Sequence, residues 1–425
     1  MQVGLGGRRR LACSDMAKRA FWLGMCVVLV AALLGVGVKA RPFVPLVGAW
    51  MYDTIQRPPG APVEVSTADI SDAGPGSLLS AKTMPGVARK WFGRHMEAAR
   101  VIYRSTNGDD NSPTVVSGSV FIPKGDAPEG GWPVISLGHA TLGIDNECAP
   151  SLSPELLGFL TYVNVLIEMG YAVALADFQG LGVKGVHPYS DSRTAGLNMI
   201  DAVRAMRRTF PNVSDRWVAV GDSQGAGAAW SADEQAGKYA PELKLMGAAA
   251  ASPGADMVGL VDKAADGTLT KEQRGVMQAV IESLARLHPD LNRDDFRRGA
   301  AEHYWNVLSN CSPEGLYRRN AALRDVGAGD FAPRTIAAGN RLREYLSRWA
   351  LPQLPLTAPL YVFYGGKDPF IDAAWTKSAL ERACAMGGTI TIKYDPNGGH
   401  NPTDALHLIR WVVDRFDDEP VENDC

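Results

Sequence analysis

Cysteine is scarce in this chain of 425 residues: six are present, and none stands in a Cys-x-x-Cys or Cys/His spacing that would hold zinc. Basic charge is not in surplus either. The 43 Lys and Arg residues are outnumbered by 46 Asp and Glu, a formal net charge of −3. That balance argues against nucleic acid or an anionic membrane surface as a partner. No internal repeat or low-complexity run interrupts the sequence. Its hydrophobic (46%) and charged (21%) fractions are those of an ordinary globular protein, which excludes wholesale disorder.

One long uncharged apolar run is present, at residues 21–38 (FWLGMCVVLVAALLGVGV). It follows Arg8, Arg9, Arg10, Lys18 and Arg19 and leads into Val38-Lys39-Ala40. A basic segment, an apolar segment and small residues at the cleavage positions are the parts of a secretory signal peptide. Residues 1–40 are therefore expected to direct export, with cleavage after Ala40. The alternative is an N-terminal membrane anchor at 21–38, because 18 apolar residues just span a bilayer. A lipid anchor at Cys26 is disfavoured by the bulk of Met25. Loss of residues 1–40 removes six basic residues and one acid, leaving 37 basic against 45 acidic side chains and a net charge of −8. Cys148, Cys311, Cys384 and Cys425 remain. An even number in an exported chain implies two disulfides, with three connectivities open.

Residues 41–94 are rich in Pro, Gly and Ser and read as an N-terminal extension. From 95 onward strand-like and helical patterns alternate. Residues 100–104 and 114–122 read as a hairpin. The segments 133–138, 171–176, 217–220, 245–251, 360–364 and 389–394 read as buried strands, and 154–169, 195–209, 226–236, 373–385 and 403–416 as helices. Apolar strands alternating with helices predict an α/β fold, a mostly parallel sheet flanked by helices on both faces. The rhythm breaks at about 253–356, which holds no buried strand. There Val276, Val280, Leu284 and Leu287, and then Ile336, Leu342 and Leu346, recur at helical spacing. This stretch is expected to form a helical cap inserted before the 360–364 strand, within one domain spanning 95–425.

The most informative stretch is 216–229, RWVAVGDSQGAGAA. An apolar strand, then Gly221-Asp222-Ser223-Gln224-Gly225, then small residues opening a helix, is the setting of a G-x-S-x-G nucleophile elbow. The serine must sit in a strained turn so that its hydroxyl projects above the sheet. A side chain at either flanking glycine would collide with neighbouring backbone. The motif alone is a weak signal, and the plain alternative is a Gly-rich turn; the strand before it and the helix after it decide for the elbow.

A serine hydroxyl needs a base to take its proton, and the base needs a carboxylate to orient it. Of seven histidines, His400 in Asn397-Gly398-Gly399-His400 lies on a Gly-rich loop between the last strand and last helix, and is the expected base. His139 is its main competitor, though its place after an earlier strand suits an oxyanion loop better. His288, His303 and His407 fall in helical segments and read as surface or core residues. Asp368, just past the 360–364 strand, is the expected acid, with Asp372 and Asp395 as fallbacks. The order Ser, Asp, His is that of α/β-hydrolases. Charge developing on a carbonyl oxygen needs two N–H donors. One is expected from Gln224 and the other, Thr141, from the loop at 138–143.

These pieces together resemble the secretory lipase family of α/β-hydrolases. The matching segments are Gly74-Pro75-Gly76, YRSTN with VSGSVFIP, GHATLGIDNECAPS, YAVALADFQGLG, GDSQG, YGGKD and GGH, so the resemblance covers about 70–425. It implies acyl-ester hydrolysis, a large helical cap, no metal and no cofactor, with Ser223 as nucleophile, Asp368 as acid and His400 as base. One departure stands out: the family loop reads His-Gly-Thr, whereas Ala140 takes the glycine's place here. The resemblance also supports pairing Cys148 with Cys311 and Cys384 with Cys425. The expected protein is an exported triacylglycerol lipase or carboxylesterase working through an acyl-enzyme on Ser223, on a small-molecule or lipid ester, with the cap as its contact to a lipid interface. A cell-envelope acyltransferase with the same triad is the main alternative. A peptidase on the same fold and a catalytically silent binding protein are further ones, the last disfavoured by an intact triad.

Overall fold

The computed structural model describes residues 52–53 and 59–425. The signal-peptide and anchor readings at 1–40 lie outside the described residues. Among the described residues, nine strands make one sheet: β1 (Leu78–Thr83), β2 (Met96–Thr106), β3 (Pro113–Pro123), β4 (Trp132–Gly138), β5 (Ala172–Ala176), β6 (Val213–Asp222), β7 (Lys244–Ala251), β8 (Leu360–Gly365) and β9 (Ile390–Asp395). Their order is β1-β2-β3-β5-β4-β6-β7-β8-β9. The pairings from β5 through β9 are parallel. The β1, β2 and β3 edge is antiparallel.

Side chains alternate between the two faces, as the pleat requires. Along β5, Ala172, Ala174 and Ala176 enter one core layer, and Val173 and Leu175 the other. The helices Ser192–Thr209, Gln224–Tyr239 and Ala373–Ala385 cover the first face. Leu160–Glu168 and Ala405–Phe416 cover the second. Fully buried side chains such as Phe121 and Leu156 each stabilise the fold by roughly 1.5–3 kcal/mol. The Ser192–Thr209 helix starts where Asp191 accepts hydrogen bonds from the Arg193 and Thr194 N–H groups, a cap worth about 1 kcal/mol.

Sequence pattern and structure differ in three places. β1 lies inside the stretch read as an extension. It is short, its burial does not alternate, and it is held by pairing with β2 across a register shift. The helix expected from 154 begins only at Leu160, because Leu156, Leu157 and Gly158 all take positive φ and break the turn. Ile336, expected on an apolar face, is 84% exposed at the first position of its helix, while Leu342 and Leu346 are buried.

Between β7 and β8 run the helices Gly259–Ala265, Lys271–Leu287, Gly299–His303, Trp305–Leu308, Pro313–Asp325 and Ile336–Trp349. They build a separate apolar cluster around Met277, Val280, Leu284, Trp305 and Leu342, which Ile144, Tyr189 and Ile371 join from loops of the sheet. Disulfides link Cys148 to Cys311 and Cys384 to Cys425. The first ties the loop after β4 to this helical insertion. Among the described residues no helix is long and apolar enough to cross a membrane.

Candidate active site

β6 ends at Asp222 and the next helix begins at Gln224, so the chain reverses at Ser223 alone. Ser223 takes φ 55° and ψ −114°, a conformation that L residues rarely hold. Its N–H donates to the Ala251 carbonyl at 2.8 Å, which anchors the turn to β7. The flanking glycines are dictated by contact. A Cβ on Gly221 would lie 2.0 Å from the Gly225 carbonyl oxygen, and one on Gly225 would lie 2.2 Å from that of Gly138. The elbow helix therefore packs directly on the ends of β4 and β6. Ala226, Ala228 and Ala229 continue this close packing and are fully buried.

His400 follows β9 on the Gly398-Gly399 loop. Its Nδ1 donates to Asp368 Oδ2 at 2.7 Å. The Asp368 side chain is almost wholly buried and its Oδ1 accepts from the Phe370 and Ile371 N–H groups, so the carboxylate is fixed at both oxygens. The His400 carbonyl accepts from Ser252 Oγ, just past β7. The Phe370 ring packs on the imidazole with centroids 4.7 Å apart. Ser223 and His400 line one cavity of about 410 Å³, together with Ala140, Thr141 and Gln224. Among the described residues no hydrogen bond joins the Ser223 hydroxyl to the His400 ring; such bonds are often long until substrate fills a site.

The fallback acids go elsewhere. Asp372 pairs with Lys263 at 3.0 Å and accepts from Gln273. Asp395 accepts from the Asn397 N–H and from Thr403 Oγ1. His139 is fully buried, and its ring nitrogens lie against the carbonyls of Ala140 (2.7 Å) and Asp177 (3.0 Å). Burial disfavours its charged form, and its effect is to fix the loop carrying Ala140 and Thr141. His288 pairs with Asp109, and His407 packs against Tyr361, away from the cavity. The Gln224 and Thr141 N–H groups make no backbone hydrogen bond among the described residues. Gln224 opens its helix, where N–H groups lack an intrahelical partner and the dipole favours negative charge.

Two neighbours of the site carry no sequence signal of their own. Asp222 lines the cavity with its Oδ1 buried and unpartnered. Burial pushes its carboxyl up, and Asp368 adds to this while His400 opposes it. His187 contacts the Gln224 side chain. No grouping of three or more His, Cys, Asp or Glu side chains among the described residues is placed to hold a metal ion.

A sheet of this topology, with a serine at a strand-to-helix elbow and an Asp–His pair from the loops after β8 and β9, defines an α/β-hydrolase. The secretory lipase family model matches residues 159–424, and the chain belongs to that family. It is 24% identical over 404 residues to a Mycobacterium tuberculosis protein described as a probable inactive lipase, covering 90% of this chain and 85% of that one. It is 24% identical to a probable trichothecene esterase of Stachybotrys chartarum, covering 81% and 74%. In three dimensions it is similar to Candida antarctica lipase A in its closed state, with a TM-score of 0.66, 17% identity and 88% of each chain covered. The rice cell wall degrading esterase LipA of Xanthomonas oryzae aligns with a TM-score of 0.60 and 17% identity, over 82% of this chain and all of that one.

Proposed function

We propose that this protein is an exported serine hydrolase of carboxylic esters, a carboxylesterase or triacylglycerol lipase. The observation that carries the reading is the 2.7 Å hydrogen bond from His400 to Asp368, with the same imidazole lining the cavity that Ser223 lines. The label of the mycobacterial relative is a property of that protein. In the present reading Ser223, Asp368 and His400 serve as nucleophile, acid and base.

Asp368 accepts a hydrogen bond from Nδ1–H and so leaves Nε2 of His400 bare and basic. That nitrogen takes the hydroxyl proton as Ser223 Oγ attacks the ester carbonyl carbon. The carbonyl electron pair moves onto oxygen, where the N–H groups of Gln224 and Thr141 stabilise it. Collapse breaks the bond to the alcohol, which leaves with the proton from His400. Water, activated by the same imidazole, then releases the acid and restores the serine. The insertion between β7 and β8 acts as a cap: Met257, Val276 and Leu323 line the cavity and would receive the acyl group away from water.

Turnover of p-nitrophenyl esters from acetate to palmitate, and of triglycerides, tests the proposal in the wild type and in Ser223→Ala. Mass spectrometry should find a fluorophosphonate adduct on Ser223. Absence of turnover on every ester, or full turnover by Ser223→Ala, overturns it.

A further inference from the structure

Arg319 lies in the Pro313–Asp325 helix of the insertion and lines the cavity that holds Ser223 and His400. Its Nε is buried without a hydrogen-bond partner. Burial is the main influence on the guanidinium, and its electrostatic neighbour is the Tyr189 phenol rather than an acid. Glu272 lines the same cavity, as do Lys271, Asp191 and Asp222. No ion pair joins any of these carboxylates to Arg319 among the described residues. Asp191 is engaged as a helix cap, and Asp222 lies beside His400 and Asp368.

The guanidinium also has a seat shaped for it. Gly275 stands in the interior of the Lys271–Leu287 helix, and a Cβ there would meet Arg319 Nη2 at 3.2 Å. Glycine is unfavourable inside a helix; here it leaves the room that the arginine occupies. An arginine stays charged at any working pH, and burying part of a charge without a partner is costly.

We propose that the substrate is an ester bearing an anionic group, a carboxylate or a phosphate, which Arg319 binds while Ser223 attacks the ester carbonyl. The inference rests on the ester-hydrolase reading of this cavity. The planar guanidinium offers paired N–H donors that match either anion. Leu323 stands one turn further along the same helix face and also lines the cavity. An apolar stretch of substrate against Leu323 is therefore compatible with an anionic end at Arg319. A purely hydrocarbon acyl chain would leave the charge unanswered.

Two matched pairs of esters separate the anion sources. For carboxylate, p-nitrophenyl hydrogen glutarate is compared with p-nitrophenyl valerate; for phosphate, 1-butyrylglycerol 3-phosphate with 1-butyrylglycerol. In one pair the anionic member should be preferred in kcat/KM by about tenfold or more. Arg319→Gln should bring that ratio close to 1, with Arg319→Lys between. Gly275→Ala, which fills the seat but keeps the charge and suits a helix, should also lower the ratio. Calorimetric titration of Ser223→Ala with monomethyl glutarate and with glycerol 3-phosphate reads binding without turnover. The preferred anion should bind, and adding Arg319→Gln should weaken it by about tenfold or more. Anion binding lost with Arg319→Gln, but no ester turned over, supports the anion site and sinks the hydrolase reading. Ester turnover with both ratios near 1 and unmoved by Arg319→Gln overturns the anion site and leaves the hydrolase reading standing. Neither binding nor turnover overturns both.

Discussion

The Gln224 side-chain amide donates to His187 Nε2 at 2.7 Å, and His187 Nδ1 donates to the Gln179 carbonyl at 2.9 Å. Burial drives the His187 pKa down to about 3, so the ring stays neutral and holds one tautomer. The residue after Ser223 is thus clamped from the loop beyond β5. His187→Ala should lower kcat on the order of tenfold, more than it changes KM, because the proposed oxyanion donor at Gln224 loses its alignment rather than its identity. Steady-state kinetics on a short ester check this. An unchanged kcat would remove His187 from the site.

The proposed triad has its own ordered expectation. Ser223→Ala and His400→Ala should abolish ester turnover with the fold intact by circular dichroism. Asp368→Asn should reduce kcat by up to ~10⁴-fold, since the wrong imidazole tautomer is then favoured. Asp395→Asn should leave most activity. The reverse ranking of the two Asp→Asn variants would reassign the acid.

Stability should depend on pH through two consecutive buried carboxyls. Asp233 accepts from the Thr357 and Ala358 N–H groups, and Glu234 from those of Gln353 and Leu354, where the insertion returns to β8. Burial pushes Asp233 up to about 8 and Glu234 up to about 7. These two carboxyls therefore bind more protons in the folded protein than in the unfolded chain between about pH 4 and 8, so their contribution to the unfolding free energy falls as pH rises through that window. Tm should be higher near pH 5 than near pH 8.5, and Asp233→Asn should flatten the slope. A wild-type Tm that rises across this range contradicts the account.

Reduction of Cys384–Cys425 should loosen the edge of the sheet. The bridge spans 41 residues, worth up to about 4 kcal/mol in the chain-entropy model. It holds the terminal segment against β9, where the Ile390 N–H donates to Asn423 Oδ1, the Ile392 N–H to Asp424 Oδ2, and the Asp424 N–H to the Ile390 carbonyl. Cys384→Ser should lower Tm and speed amide exchange at Ile390 and Ile392, which an unprotected edge would expose to water. Equal protection in both proteins would count against this role.

Cap substitutions should act on selectivity. Leu323→Ala and Met257→Ala enlarge the cavity that these side chains line, so they should shift chain-length preference more than they change acetate turnover. A uniform loss across all chain lengths would argue against an acyl pocket.

The strand and helix order could be read from the chain because its strands are apolar runs buried on both faces and its helices keep a 3.6-residue period, both local properties. The elbow was legible for the same reason: only glycine fits at 221 and 225, where backbone meets backbone. Long-range contacts decided the rest. β1 is a strand only because β2 is beside it. Asp368, Asp372 and Asp395 are alike as sequence, and the loop geometry after β8 brings Asp368 alone of the three to His400, while Lys263 on the insertion draws Asp372 away. His187 and Arg319 carry no local pattern at all, and Asp222 fills a position of the elbow motif that specifies no particular residue. Their significance comes from which distant residues bury them, and burial between distant segments is a property of the tertiary structure, not of spacing along the chain.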